Sequence, residues 1–110
     1  MMREYPKHIK KLIRQYGAIA YDRELTRELR ELLTQFEKWE KGSISSEYLN
    51  TMIYKFTSGP ARQLYNRYSD SMLDSSIAYA IAHGILDADD LPDELLAHLD
   101  KAIRFYEERK

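Results

Sequence analysis

Residues 75–86 have the sequence SSIAYAIAHGIL, and none of them carries a formal charge although the chain is 32% charged. Asp74 before this segment and Gly84 near its end predict a helix that is capped by the aspartate and ended by the glycine. Such a helix has about half of the roughly 20 residues that a membrane span requires, and its apolar or small residues lie on every side. We therefore expect a buried central helix near 74–83 that is surrounded by other helices.

The length and composition of the chain fit one helical domain. A chain of 110 residues with 44% hydrophobic content is in the size range of a single compact core. Apolar residues recur at helical spacing, and no stretch alternates with a period of two for long enough to form a strand. We predict an all-α fold in which residues 1–110 form a single compact bundle of about five helices.

Two apolar stripes predict a long N-terminal helix. The first stripe lies within residues 9–20. The second stripe consists of Leu25, Leu29, Leu32, Phe36 and Trp39. Its four-three alternation is typical of a seam against another helix, so these residues are our candidate dimer seam. Because the two stripes are out of phase, we expect either a bend near Gly17 or a rotation of the buried face along one helix.

Local capping signals predict three more helices. Ser45 has the features of an N-cap residue for a helix over about 46–56. Pro60 is favoured at the first position of a short third helix. Asp93 and Glu94 belong in the first turn of a helix that runs to the C-terminus, where carboxylates interact favourably with exposed backbone amides.

Charge is distributed unevenly, although the formal net charge is only −1. Residues 1–14 contain five basic residues and one acidic residue, whereas residues 68–100 contain eight acidic residues and no lysine or arginine. The simplest interpretation is that these regions lie against each other, within a monomer or across a dimer. A functional basic patch is the alternative.

The sequence contains no motif for enzymatic catalysis. Phosphate-binding loops, dinucleotide-binding loops, zinc-protease helices and serine-hydrolase elbows are absent. There is no cysteine, so disulfides and thiolate metal sites are excluded. His83, Asp87 and His98 are conceivable metal ligands, but Gly84 is expected to end the helix that would align them. We expect no catalysis, no cofactor and no metal.

Residues 46–69 partly resemble a helix-turn-helix, with the sequence TSGP as the turn. The side chains suited to base edges and phosphates are those of Arg62, Gln63, Asn66 and Arg67. Pro60 stands where the motif usually has an apolar residue that packs the second helix. The acidic region from Asp70 onward would repel a phosphate backbone. Nucleic-acid binding is therefore an alternative rather than the main hypothesis.

Membrane association is not expected. No stretch reaches the roughly 20 apolar residues of a membrane span, and the charged N-terminus does not resemble a signal peptide. The basic N-terminal segment around Lys7, Lys10, Lys11 and Arg14 has a narrow apolar face without tryptophan or phenylalanine, which indicates packing on the bundle rather than on a bilayer. Together with the lack of cysteine, this favours a cytoplasmic protein.

The chain contains nine tyrosines. Tyrosine combines an apolar ring with a polar tip, which suits protein interfaces and also the boundary of a small bundle. Tyr65 and Tyr68 lie beside Arg62 and Arg67, and both residue types are frequent among those that dominate binding energy. These four residues are our candidate interaction surface.

The main hypothesis is a small non-catalytic protein that acts through contact with a protein partner or with itself. A homodimer joined by the long first helices is one form of this hypothesis. The alternatives are a nucleic-acid-binding regulator that uses residues 46–69, and a metal-dependent or other enzyme built around His83 and His98.

Overall fold

The computed structural model describes residues 5–110, apart from the side chain of Asp70. Its helices are α1 (Lys7–Glu40), α2 (Ser46–Ser58), α3 (Pro60–Arg67), α4 (Leu73–Ala82) and α5 (Asp93–Glu107). Short 3-10 turns at Asp70–Met72 and Ala88–Asp90 precede α4 and α5. No strand occurs among the residues described, which confirms the prediction of an all-α bundle of about five helices.

α1 runs along the length of the molecule. It has 34 residues, which corresponds to about 51 Å, and the molecule measures 53 × 25 × 24 Å. α4 and α5 pack against each other and against the N-terminal half of α1, where Ile9, Ile13 and Ala20 join the core. α2 and α3 pack against the C-terminal half of α1. We call the assembly of α2, α3 and residues 21–40 of α1 the arm.

α4 lies at the centre of the core, as predicted for the uncharged segment. Its buried residues are Leu73, Ser76, Ile77, Ala78, Ala80, Ile81 and Ala82. The prediction that Asp74 caps this helix is wrong. The 3-10 turn leads directly into the helix, so α4 begins at Leu73 and Met72 occupies the N-cap position. Asp74 lies in the first turn, where its Oδ2 accepts a hydrogen bond from the Tyr5 hydroxyl at 2.9 Å.

α4 ends at Ala82, just before Gly84, as the glycine predicts. His83 is the C-cap residue, and Gly84 follows it with a φ of +74°. The amide of Ile85 donates to the carbonyl of Ala80 at 2.8 Å, and the amide of Gly84 donates to the carbonyl of Ile81 at 3.2 Å. This pair of hydrogen bonds is the Schellman arrangement, which satisfies carbonyls that the helix leaves unpaired.

α1 is one uninterrupted helix, and the buried face rotates along it, as one of the two alternatives for this segment expected. Gly17 is buried, and a Cβ at this position would lie 2.6 Å from Cδ1 of Leu73. Glycine therefore permits the close packing of α4 on α1. At about 100° per residue, Leu29 and Leu33 lie on nearly the opposite side of α1 from Ile13. Leu29 and Leu33 therefore do not lie on the face of α1 that contacts the core in the N-terminal half.

The capping predictions for the other helices are confirmed. The Oγ of Ser45 accepts a hydrogen bond from the amide of Tyr48 at 3.0 Å, which makes Ser45 the N-cap of α2. Pro60 is the first residue of α3. Asp93 and Glu94 occupy the first turn of α5. These boundaries depend on interactions within one helical turn, which is why the sequence predicts them.

Candidate interaction surface

The C-terminal half of α1 exposes large apolar side chains. Exposed fractions are 46% for Leu29, 56% for Leu33, 38% for Phe36 and 41% for Trp39. No residue of α1 after Ala20 is buried. Leu29, Leu33 and Phe36 are spaced four and three residues apart, so they lie on one face of the helix. We call these three residues the α1 stripe.

The structure divides the candidate dimer seam between two environments. Leu25 and Leu32 are partly buried, and Leu32 lines the groove between α1 and α2 together with Met52 and Phe56 of α2. Trp39 donates from its Nε1 to the Oγ of Ser46 at 2.9 Å. Leu29 and Phe36 belong instead to the outward-facing α1 stripe.

Leu33, which completes the stripe, is missing from the candidate seam. The signal that identifies it is its spacing of four residues from Leu29, which places both side chains on the same face of the helix. The outward stripe is therefore shifted by a fraction of a turn from the seam that the sequence predicted.

The candidate interaction surface on α3 is also divided. Arg62 is exposed, and Tyr65 is 70% exposed. Arg67 and Tyr68 are only partly exposed, because both interact with Glu24 of α1. Two of the four residues are thus available on the surface, and the other two help to hold α3 on α1.

The carboxylate of Glu24 is the centre of this internal network. Nη1 of Arg67 lies 3.1 Å and 3.2 Å from the two Oε atoms of Glu24, and the hydroxyl of Tyr68 donates to Oε2. The guanidinium of Arg67 also lies 4.8 Å from the centre of the Tyr79 ring. The Oγ of Ser76 donates to the backbone carbonyl of Arg67, which joins α3 to α4. Sequence reasoning missed Glu24 because its partners lie more than 40 residues away along the chain.

The environment of Tyr68 favours the protonated phenol. Burial raises the pKa of Tyr68, because the charged phenolate would lose its hydration. The hydrogen bond to Glu24 and the negative charge of that carboxylate raise it further, while Arg67 acts in the opposite direction. Tyr68 is therefore a hydrogen-bond donor that holds a carboxylate in place.

The three histidines occupy separate positions. His83 is the C-cap residue of α4, and its ring centre lies 4.2 Å from that of Tyr79. His98 packs edge-on against Tyr5 with a ring distance of 5.9 Å. Within residues 5–110, no group of three or more potential histidine, aspartate or glutamate ligands lies close enough to hold a metal ion.

The junction between α2 and α3 differs from the turn of a helix-turn-helix. α2 continues to Ser58, so only Gly59 separates it from Pro60 at the start of α3. The DNA-binding motif uses a turn of about three to four residues. Arg62, Gln63 and Asn66 are exposed on α3. Arg67, the fourth candidate for a nucleic-acid contact, is instead bound to Glu24.

Among the residues described, side chains of the basic and acidic regions meet at the hydrogen bond of Tyr5 with Asp74 and at a contact of His8 with Glu94. Nε2 of His8 lies 3.2 Å from Oε2 of Glu94 on α5. Lys7, Lys11 and Arg14 are exposed and form no ion pair within residues 5–110. Arg3, which is one of the five basic residues of segment 1–14, and the side chain of Asp70 lie outside the part of the chain that the structure describes.

Comparison of the chain with protein-family models, with curated protein sequences and with solved structures gives no match. Among the described residues, no helix combines the length and the apolar composition of a membrane span.

Proposed function

We propose that this protein acts without catalysis, through protein contacts, and that it self-associates through the α1 stripe into a homodimer joined by the long first helices. The observation that supports this most directly is the exposure of Leu29, Leu33 and Phe36 by 46%, 56% and 38% on the half of α1 that has no buried residue. Clustered apolar side chains on a surface are typical of protein interfaces.

The expected affinity is modest because the stripe is short. Asp22 lies seven residues before Leu29 and Glu40 lies four residues after Phe36, both on the face of the stripe, so charged residues bound the stripe at its two ends. Full burial of a leucine or phenylalanine contributes about 1.5–3 kcal/mol, and these side chains are already half-buried. Association also costs translational and rotational freedom. A dissociation constant of about 1–100 µM is the expected range.

The non-catalytic part of the proposal has separate support. The sequence contains no catalytic motif, and the partly buried ionisable cluster of Glu24, Arg67 and Tyr68 is satisfied by its own hydrogen bonds. A group that performs acid-base catalysis must have a reactive atom free to contact a substrate. These three side chains serve to join α3 to α1 instead.

Sedimentation equilibrium over about 1–200 µM protein tests the self-association. The wild-type chain should change from monomer to dimer with concentration, and Leu33→Glu should remain monomeric because it places a charge in the centre of the stripe. Phe105→Glu is the matched control, since Phe105 is 47% exposed but lies on α5 outside the arm. A wild-type chain that stays monomeric, or a Leu33→Glu variant that dimerises as well as the control, would contradict the proposal.

Nucleic-acid binding remains a second candidate because Arg62, Gln63 and Asn66 are exposed together on α3. A titration with duplex DNA at increasing salt distinguishes the two functions, since phosphate contacts make affinity fall steeply with ionic strength. We expect no binding at low salt. Salt-sensitive binding that Arg62→Ala weakens would favour the nucleic-acid alternative.

A further inference from the structure

Arg30 and Glu37 border the α1 stripe on one side. Each of them directly follows a stripe residue, Leu29 or Phe36, and they are seven residues apart, so they lie two turns apart on the same edge. Both are exposed, and neither forms an ion pair within residues 5–110. Two unpaired charges of opposite sign therefore lie beside an exposed apolar surface.

The opposite edge of the stripe is different in character. Leu25 and Leu32 lie there, and Leu32 faces the groove between α1 and α2. Glu28 and Glu31 line the same groove, farther from the stripe than Leu32. The charged residues that directly follow stripe residues are therefore Arg30 and Glu37, on one edge. This asymmetry allows the orientation of a second copy to be deduced from the pairing of Arg30 and Glu37.

The two charges match an antiparallel copy of the same helix. The midpoint between Arg30 and Glu37 falls between residues 33 and 34, at the centre of the stripe. In an antiparallel pair centred there, Arg30 of each copy faces Glu37 of the other, and the two-fold symmetry produces this pair twice. In a parallel pair, the edge with Arg30 and Glu37 faces the edge that contains Leu25 and Leu32, so Arg30 and Glu37 of the two copies do not pair.

We propose that the partner of the α1 stripe is the α1 helix of a second copy in antiparallel orientation. This proposal rests on the self-association proposed above. Leu33 and Phe36 of the two copies pack across the two-fold axis, and two reciprocal pairs of Arg30 with Glu37 fix the register. Specificity for a second copy comes from the sequence itself, since the same edge supplies both the cation and the anion.

Charge reversal tests the ion pairs. Arg30→Glu and Glu37→Arg should each weaken dimerisation by about tenfold or more, because each variant places two like-charged pairs across the interface. The double variant Arg30→Glu with Glu37→Arg restores opposite charges and should recover most of the wild-type affinity. Lys38→Glu is the control, since Lys38 is exposed on the opposite side of α1 and should leave the affinity nearly unchanged.

Cysteine cross-linking tests the orientation independently, and the natural chain has no cysteine to interfere. A tagged Arg30→Cys chain is mixed with an untagged Glu37→Cys chain and oxidised. The antiparallel dimer predicts that the mixed cross-link predominates, because the two cysteines face each other while the remaining Arg30 and Glu37 still pair. Predominant self-cross-linking of either variant would overturn the antiparallel register.

The two proposals fail in different ways. A wild-type chain that sediments as a monomer removes the self-association and the register together. A dimer that Leu33→Glu abolishes, but that gives no cross-link between positions 30 and 37, overturns the register and leaves the self-association in place. If the double charge reversal does not restore the affinity of the dimer, the register is likewise overturned and the self-association stands.

Discussion

The ion pair between Glu24 and Arg67 leads to a quantitative prediction for the variant Arg67→Met. Methionine keeps an unbranched apolar side chain but removes the guanidinium that contacts both Oε atoms of Glu24. The Glu24 side chain is only 13% exposed. Its carboxylate would therefore keep the Tyr68 hydroxyl as a partner but would gain little hydration in place of the lost cation.

The expected loss of stability can be bounded from the exposure of the two partners. Removing one partner of a fully buried ion pair costs about 3–5 kcal/mol. The side chain of Arg67 is 36% exposed, so solvent screens the pair and its contribution falls below that range. The contact of the guanidinium with the Tyr79 ring adds about 0.5–1 kcal/mol. We expect the free energy of unfolding to decrease by about 2 kcal/mol, which corresponds to a decrease in Tm of roughly 9 °C for a chain of 110 residues.

Urea unfolding followed by circular dichroism measures this difference. All variants must be compared at one protein concentration, because self-association makes the apparent stability depend on concentration. Arg62→Met is the matched control on the same helix, since Arg62 is exposed and forms no ion pair among the described residues. It should lose less than about 0.5 kcal/mol. Equal losses for Arg67→Met and Arg62→Met would refute the reasoning.

A second variant separates the ion pair from general packing. Glu24→Gln combined with Arg67→Met leaves no unpaired buried charge, because both charged groups are absent. The double variant should therefore be more stable than Arg67→Met alone. A double variant that is less stable than Arg67→Met would show that the side chains act mainly through their packing.

Three further predictions concern single residues. Gly84→Ala should lower the free energy of unfolding by about 1–2 kcal/mol, because Gly84 has a φ of +74° that strains a residue with a Cβ. No atom lies within 4 Å of an added Cβ, so a steric clash does not contribute. An unchanged Tm would contradict this prediction. Ser45→Ala should cost about 1 kcal/mol in urea unfolding through loss of the α2 N-cap, and a neutral effect would show that the cap contributes nothing. Burial raises the pKa of Tyr68 in the folded state, so the protonated side chain stabilises the fold fully below its unfolded pKa of about 10, and this stabilisation is lost as pH rises above that value. The urea midpoint should therefore fall more steeply from about pH 9 to 11 in the wild type than in Tyr68→Phe. Parallel slopes for the two proteins would contradict the prediction.

The helices themselves follow from local sequence. Ser45, Pro60 and Gly84 each act on backbone groups within about one turn of their own position, so their effect does not depend on the rest of the fold. The uncharged segment 75–86 similarly predicts a buried helix, because a helix that is apolar or small on every side is stable only where other helices cover it. Two boundaries differed: α4 begins at Leu73, directly after a 3-10 turn, and α2 continues to Ser58.

Which surfaces remain exposed was decided by the tertiary structure. The sequence could group Arg67 and Tyr68 with Arg62 and Tyr65, but it could not show that Glu24 lies within reach of the first two. Helical periodicity places Leu29 and Leu33 on a shared face, yet whether another helix covers that face depends on where α2 docks. Contacts between residues far apart in the chain require the relative positions of whole helices. Local sequence signals extend over only a few residues, so they determine where each helix begins and ends. The relative positions of the helices depend on how their side chains pack in three dimensions.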